Sequence, residues 1–197
     1  MTSPLDDAAL DVLFRDARSQ NSWQDKPVSV DTLHALYDLM KWGPTSANCF
    51  PMRLIFAHSQ EEKDRLATMV MDDNIEKVRT AAAVAIIGYD SEFYENLPTL
   101  FPHDQTARSW FADAPELAES TAFRNSSLQG AYFMIAARAL GLDCGPLSGF
   151  DPDAVNAHYF PDSPVKANFL CGIGYGDASG VFDRSPRPDF DTFCTIL

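Results

Sequence analysis

The residues of this chain best suited to binding or moving charge stand in five polar turns. These are "ARSQNSW" (17–23), "GPTSANCFP" (43–51), "DNIEKV" (73–78), "GPLSGFD" (145–151) and "DRSPRPDF" (183–190). Arg18, Arg184 and Arg187 offer guanidinium forks, which suit phosphates and carboxylates because two parallel N–H bonds reach one anionic group. Ser19, Ser46, Asn48 and Asn74 offer hydroxyl or amide partners for polar atoms, and Lys77 offers a compact cation. Read singly, each turn also has an ordinary role. Arg18 and Ser19 fit a solvated helix end, Asn74 and Lys77 an exposed helix face, and Arg184 and Arg187 surface charge in an irregular tail.

Several other chemistries find no support. Cys49, Cys144, Cys171 and Cys194 are scattered without a C-x-x-C pair, as expected for buried reduced thiols rather than a disulfide framework or zinc site. The histidines form no H-x-x-x-H or H-E-x-x-H pattern, so no metal is expected. "GIGYGDASG" carries Gly172, Gly174 and Gly176, but not at G-x-G-x-x-G spacing, and it closes a strand instead of opening a first βαβ unit. Neither G-x-x-x-x-G-K-[ST] nor G-x-S-x-G occurs, which argues against a nucleotide hydrolase and a serine-elbow hydrolase.

Composition narrows the partners. Fifteen Lys and Arg against 28 Asp and Glu give a formal net charge of −13. Such a field repels nucleic acid, and an anionic ligand would need arginines acting locally against it. An apolar fraction of 46% suits a folded core, while no apolar run is long enough for a membrane span. The acidic start "MTSPLDDAALDVLF" does not resemble a secretory signal, so a cytoplasmic protein is expected.

The elements that must position the turns follow from periodicity and caps. A helix is expected over 5–18. Another, capped by Ser29, should present Leu33, Leu36, Tyr37 and Met40 and end near Trp42. Residues 53–58 read as a strand, and Ser59 with Glu62 forms a capping box for a helix over 60–70. A helical piece over 72–79 precedes "AAAVAIIGY" (81–89), an unbroken apolar run expected of a central strand. Residues 90–114, aromatic and proline-broken, suggest a lid with short helical pieces. Asp113 with Glu116 and Pro115 should open a long helix to Leu140, closed by Gly141 and apolar nearly all round. A short strand before "GPLSGFD", an Asp151-capped helix and a last strand over 166–176 complete one domain, residues 1–197. The pattern is α+β, a mixed layer of strands and helices.

Taken in order, the five turns resemble the motifs of the FMN-dependent nitroreductase family. Its opening Arg-Arg-Ser-x-Arg and following aromatic residue resemble "ARSQNSW", with Arg18, Ser19 and Trp23 in place and Asn21 where the family often has a base. Its Trp-x-Pro-Ser-x-x-Asn-x-Gln-Pro-Trp motif resembles "KWGPTSANCFPMR". Trp42, Pro44, Asn48 and Pro51 fit, whereas Phe50 and Met52 replace the Gln and Trp. "NIEK", "GPLSGFD" and "IGYGD" resemble its remaining motifs, and Arg187 takes the place of its C-terminal base. Further likeness, in "LMKWGPTSANCFP", "DSEFYENLPTLFPHD", "ARSWF" and "TAFRNSS", is to its malonic semialdehyde reductase (3-hydroxypropionate dehydrogenase) subgroup of pyrimidine breakdown.

The resemblance implies a central, mostly antiparallel sheet flanked by helices in an interlocked homodimer, with FMN bound at the interface and NADPH or NADH as hydride donor. The implied cofactor residues are Arg18, Ser19, Asn21, Pro44, Thr45, Ser46, Asn48, Asn74, Lys77, Pro146, Leu147, Ser148, Gly149, Arg184 and Arg187. For a proton donor or carboxylate anchor the candidates are His103, Arg108 and Arg124. Malonic semialdehyde reduction, broad nitroaromatic or quinone reduction, and non-catalytic flavin binding remain three alternatives.

Overall fold

The computed structural model describes residues 3–197. In chain order the main elements are α1 (Asp7–Leu10), α2 (Val30–Met40), β1 (Met52–Ala57), α3 (Gln60–Ala67), α4 (Ile75–Thr80) and β2 (Ala83–Asp90). They continue with α5 (Leu97–Leu100), α6 (Ser109–Ala112), α7 (Pro115–Ala139), β3 (Asp143–Leu147), α8 (Pro152–Tyr159), β4 (Val165–Gly174) and α9 (Phe190–Phe193). The strands form one antiparallel sheet in the order β1-β2-β4-β3. The expected class, helices around a mostly antiparallel sheet, is the one observed.

β2 is central because its run from Ala83 to Ile87 is fully buried and packs on both faces. On one face Ala83, Ala85 and Ile87 meet Leu33, Leu36 and Met40 of α2 and Phe133, Ala136 and Ala137 of α7. On the other, Val84 and Ile86 meet Trp23, Leu66, Val78 and Val155. This alternation is the period-two geometry of a strand covered on both sides. A third cluster joins Cys49 to Phe93, Leu97, Ala107, Phe111 and Ala118, and packs the aromatic segment against the first turn of α7's buried face.

Caps explain several starts. Ser29 accepts from the Thr32 amide, Ser59 from the Glu62 amide, and Asp151 from Asp153 and Ala154. Three expectations are corrected. The first helix spans 7–15 rather than 5–18, and passes from α into a π-helical stretch, Asp11–Arg15, with Leu5, Val12 and Phe14 exposed. α7 has no capping box: Ala114 is its N-cap, without a side-chain bond, and Pro115 alone marks the start. Nor is α7 buried all round, since Leu117, Phe123, Leu128 and Tyr132 lie on an exposed face. Its close follows expectation, with Gly141 at φ 76°, the left-handed conformation a helix stop favours.

Candidate functional site

The first and last polar turns meet, although they come from opposite ends of the chain. Arg18, Ser19, Asn21, Arg184 and Arg187 line a cavity of about 500 Å³. Main-chain acceptors hold their side chains in place. The Arg18 guanidinium donates to the Phe182 carbonyl at 2.6 Å, and Arg184 donates to Arg15 O at 2.6 Å and Ala17 O at 3.3 Å. The Asn21 amide donates to Gly180 O at 3.3 Å, and Arg187 to its neighbours Ser185 O and Pro186 O at 3.1 Å each.

Arg138 completes the cluster, donating to Leu13 O at 3.1 Å. Sequence reasoning missed it. The available signal was one arginine inside the apolar stretch "AYFMIAARAL", a charge that must find a polar exit. Among the described residues none of Arg18, Arg138, Arg184 and Arg187 lies within 4.0 Å of a carboxylate, and the only acid lining the cavity is Asp183. Positive charge therefore converges here in a strongly acidic molecule. A guanidinium has five N–H donors, and each of these has spent only one or two groups on carbonyls.

Beside the cavity runs the outer edge of β3. Ser19 bridges Cys144 in parallel register, and the Gln20 amide donates to Cys144 O at 2.9 Å. Lys77 reaches the same edge from α4. Its Nζ donates to Pro146 O at 3.1 Å while the side chain is only 7% exposed. Burial pushes the Lys77 ammonium below the ordinary lysine value, because desolvation disfavours the charged form. The Trp23 indole N–H donates to the Lys77 carbonyl at 2.9 Å and fixes the start of the residue's reach.

Close approach here explains glycines that the nucleotide-loop template could not. A Cβ on Gly145 would lie 2.7 Å from Lys77 Cε, and one on its cross-strand partner Gly172 would lie 2.8 Å from Trp23 Cζ2. Asn74 donates to Gly149 O at 3.2 Å, so Asn74 and Lys77 are both tied to the turn that holds Pro146, Leu147, Ser148 and Gly149.

The second polar turn lies elsewhere. Asn125 of α7 accepts from the Ser46 amide at 2.9 Å, the Phe50 amide donates to Thr45 Oγ1 at 3.3 Å, and Pro44 is exposed. Asn48 turns its amide onto Leu100 O at 2.7 Å and so ties this turn to the aromatic segment. Ala47, Asn48 and Phe50 have φ of 49°, 49° and 43°, left-handed conformations that a Cβ disfavours and that cluster at functional turns. Cys49 is buried against this turn, and burial pushes its thiol up to about 11. From Asn125 to Arg138, which lines the arginine cavity, α7 climbs roughly 20 Å at its usual rise per residue. One chain thus brings together the turns at 17–23, 73–78, 145–151 and 183–190, and leaves the turn at 43–51 apart.

The candidates for proton or carboxylate chemistry do not converge. Arg108 is held by both oxygens of Glu95, at 2.9 and 2.5 Å, and its guanidinium lies 5.7 Å from the Tyr94 ring centroid. Glu95 is accordingly held below the usual carboxylate range by Arg108. His103 is exposed and meets Phe101 edge-on at 5.4 Å, and Arg124 is exposed on α7.

Known proteins share this fold. The profile of the nitroreductase family matches residues 15–176, and the chain belongs to that family. A protein of Polynucleobacter asymbioticus bearing the name NADH dehydrogenase/NAD(P)H nitroreductase is 54% identical over 197 residues, the whole of both chains. The fold matches the crystal structure of the nitroreductase ydfN from Bacillus subtilis, with a TM-score of 0.87 at 21% identity, over 96% of this chain and 99% of that one. It also matches a nitroreductase from Exiguobacterium sibiricum solved in complex with FMN, with a TM-score of 0.84 at 19% identity over the full length of both chains.

Proposed function

We propose that this chain is an NAD(P)H:FMN oxidoreductase whose cofactor phosphate is held by the arginine cavity. The observation that carries this reading is the convergence of Arg18, Arg184, Arg187 and Arg138, unpaired with carboxylates, beside the β3 edge and Lys77. The donor set fits the cofactor: fork-like guanidiniums and the Ser19 hydroxyl suit a phosphate dianion. A cavity of about 500 Å³ has the size of a small-molecule site. Family membership and the Polynucleobacter relative's name support the same activity. FMN, when bound, would take a hydride from nicotinamide and pass it to an acceptor.

The chain's own residues supply position and field. Arg18, Arg184 and Arg187 anchor the phosphate, while Asn21 keeps the segment near Gly180 against the cavity wall. Lys77 brings a buried positive charge to the β3 edge, where low local polarity strengthens its field. Asn74 and the Pro146–Gly149 turn give this charge a fixed backbone setting. No protein nucleophile is required, consistent with the lack of a triad motif.

The turn at 43–51 would join this site from a second copy of the chain. Its distance from the arginine cavity along α7 supports a homodimer in which Pro44, Thr45, Ser46 and Asn48 face the partner's cofactor. Exposed Trp42, Leu128, Tyr132, Phe190, Phe193 and Ile196 provide apolar surface for such an interface.

For the acceptor we favour malonic semialdehyde, reduced to 3-hydroxypropionate in pyrimidine breakdown, on the likeness of the aromatic segment. The aldehyde carbon would gain the hydride and its oxygen a proton, for which His103 is a candidate. One observation favours a second reading, a broad nitroaromatic or quinone reductase: Glu95 already occupies Arg108, one of the candidate anchors for a substrate carboxylate. The test starts from the visible spectrum of the purified protein, which should show bound flavin that NADPH or NADH bleaches without oxygen. A colourless protein that neither nucleotide nor added FMN alters would overturn the reading. Rates with malonic semialdehyde against nitrofurazone and menadione then decide the acceptor.

A further inference from the structure

Trp23, whose indole holds the Lys77 carbonyl, also lines a cavity of about 690 Å³ that the proposed reaction does not use. Its walls come from the segment after Trp23, from the entry to α3 and from the connection between α4 and β2. Lys26, Lys63 and Arg79 place three cations on these walls, against one acid, Asp25. In a chain of net charge −13 this reverses the prevailing sign.

The three cations differ in what already holds them. Arg79 is paired with Asp64 at 3.4 Å and Glu76 at 3.8 Å. Lys26 makes no ion pair among the described residues and rests over the Tyr175 ring, 3.4 Å from its centroid. Lys63 is only 9% exposed and likewise has no carboxylate partner; its Nζ donates to Ala81 O at 2.7 Å. Two ammonium N–H groups remain uncommitted in a wall of the cavity. Burial disfavours the charged form of Lys63 more than nearby Asp64 and Asp25 favour it, a desolvation cost that an anion seated beside it would offset. The rest of the lining is mixed: the Trp23 ring, Pro27, Ala81 and Ala82 offer an apolar strip, and Gln24, Gln60 and Thr80 are polar. His58 lines the rim with its Nε2 committed to Val28 O at 2.8 Å.

We propose that this cavity binds a small organic carboxylate, its anionic end on Lys63 and Lys26 and its apolar body against Trp23 and Pro27. Inorganic phosphate shares the charge but lacks the body, and Asp25 weakens both. The site goes beyond the proposed oxidoreductase reading and does not depend on it.

Calorimetric titration of the purified full-length protein with benzoate, and in parallel with inorganic phosphate, tests the assignment. Expected are benzoate binding, at least ~10-fold weaker in Lys63→Met and several-fold weaker in Lys26→Gln, and phosphate binding weaker than benzoate. Asp25→Asn should tighten benzoate several-fold, a change of opposite sign that loss of folding cannot mimic. Should Lys63→Met fail to fold, the exposed positions Lys26 and Asp25 decide the matter. Benzoate affinity equal in all variants, phosphate binding as tight as benzoate, or no benzoate binding at millimolar concentration would each overturn the proposal.

Discussion

At the scale of single residues, the site is a matter of where positive charge is left uncommitted. Each arginine of the cavity is positioned through main-chain carbonyls and keeps donors free. Removing Arg184 (Arg184→Ala) deletes charge-assisted bonds worth about 1.5–3 kcal/mol, so FMN affinity should fall ~10–100-fold, as read by flavin fluorescence on titration. Lys77 carries a pH prediction. Its folded-state value is depressed below 10.5 by burial, so the unfolded chain holds that proton more tightly, and folding stability gains as pH rises through the window between the depressed value and 10.5. The charge is correspondingly lost earlier than from an ordinary lysine. The alkaline limb of kcat/KM should therefore lie below pH 10.5 and move upward in Lys77→Arg; a limb unchanged by that substitution would assign it to another group. Asn21 lines the arginine cavity and donates to Gly180 O, so Asn21→Arg adds positive charge beside the proposed cofactor and should raise the flavin midpoint potential; an unshifted potential would count against that role. Much of this scale was legible in the chain, because residue type alone states what can donate or carry charge. Arg138 was not, since its place is decided by the packing of α7 against the first helix.

At the scale of elements, β2, α2, α3 and α8 followed from apolar period and cap residues, which are local signals. The exceptions have local causes too. α7 begins on Pro115 without its expected box because Asp113 lies outside the N-cap position that Ala114 occupies. Residues 11–15 form a π-helical stretch that no 3.6-residue period describes. The left-handed turn at 47–50 is held by Asn125 and Asn48, both reaching distant elements. Asn125→Ala would strand the Ser46 amide and cost about 1–3 kcal/mol, which a fall in Tm should report. Ala47→Gly removes a left-handed Cβ and should stabilise by up to about 1 kcal/mol; a lower Tm would show that the turn is not under strain.

At the scale of the whole molecule, the arginine cavity joins the two ends of the chain, and the turn at 43–51 stands against the middle of α7. The apolar tail has no cover in one chain: Phe193 and Ile196 are 76% and 84% exposed. Truncation after Pro188 should therefore convert the proposed dimer to monomer by light scattering and lower FMN affinity in parallel, whereas a truncated chain that stays dimeric with full affinity would remove the tail from the interface. Among the described residues no helix is long and apolar enough to cross a membrane, in line with the absence of long apolar runs in the sequence.

The sequence by itself determined the elements and the chemical character of five turns, because periodicity, caps and side-chain type are properties of short stretches. The tertiary structure alone decided which turns meet. Arg18 and Arg184 are brought together by hydrogen bonds across the length of the chain, and Gly172 lies where it does to admit Trp23. Such pairings depend on loop closure and close packing between distant segments, and no local pattern records them.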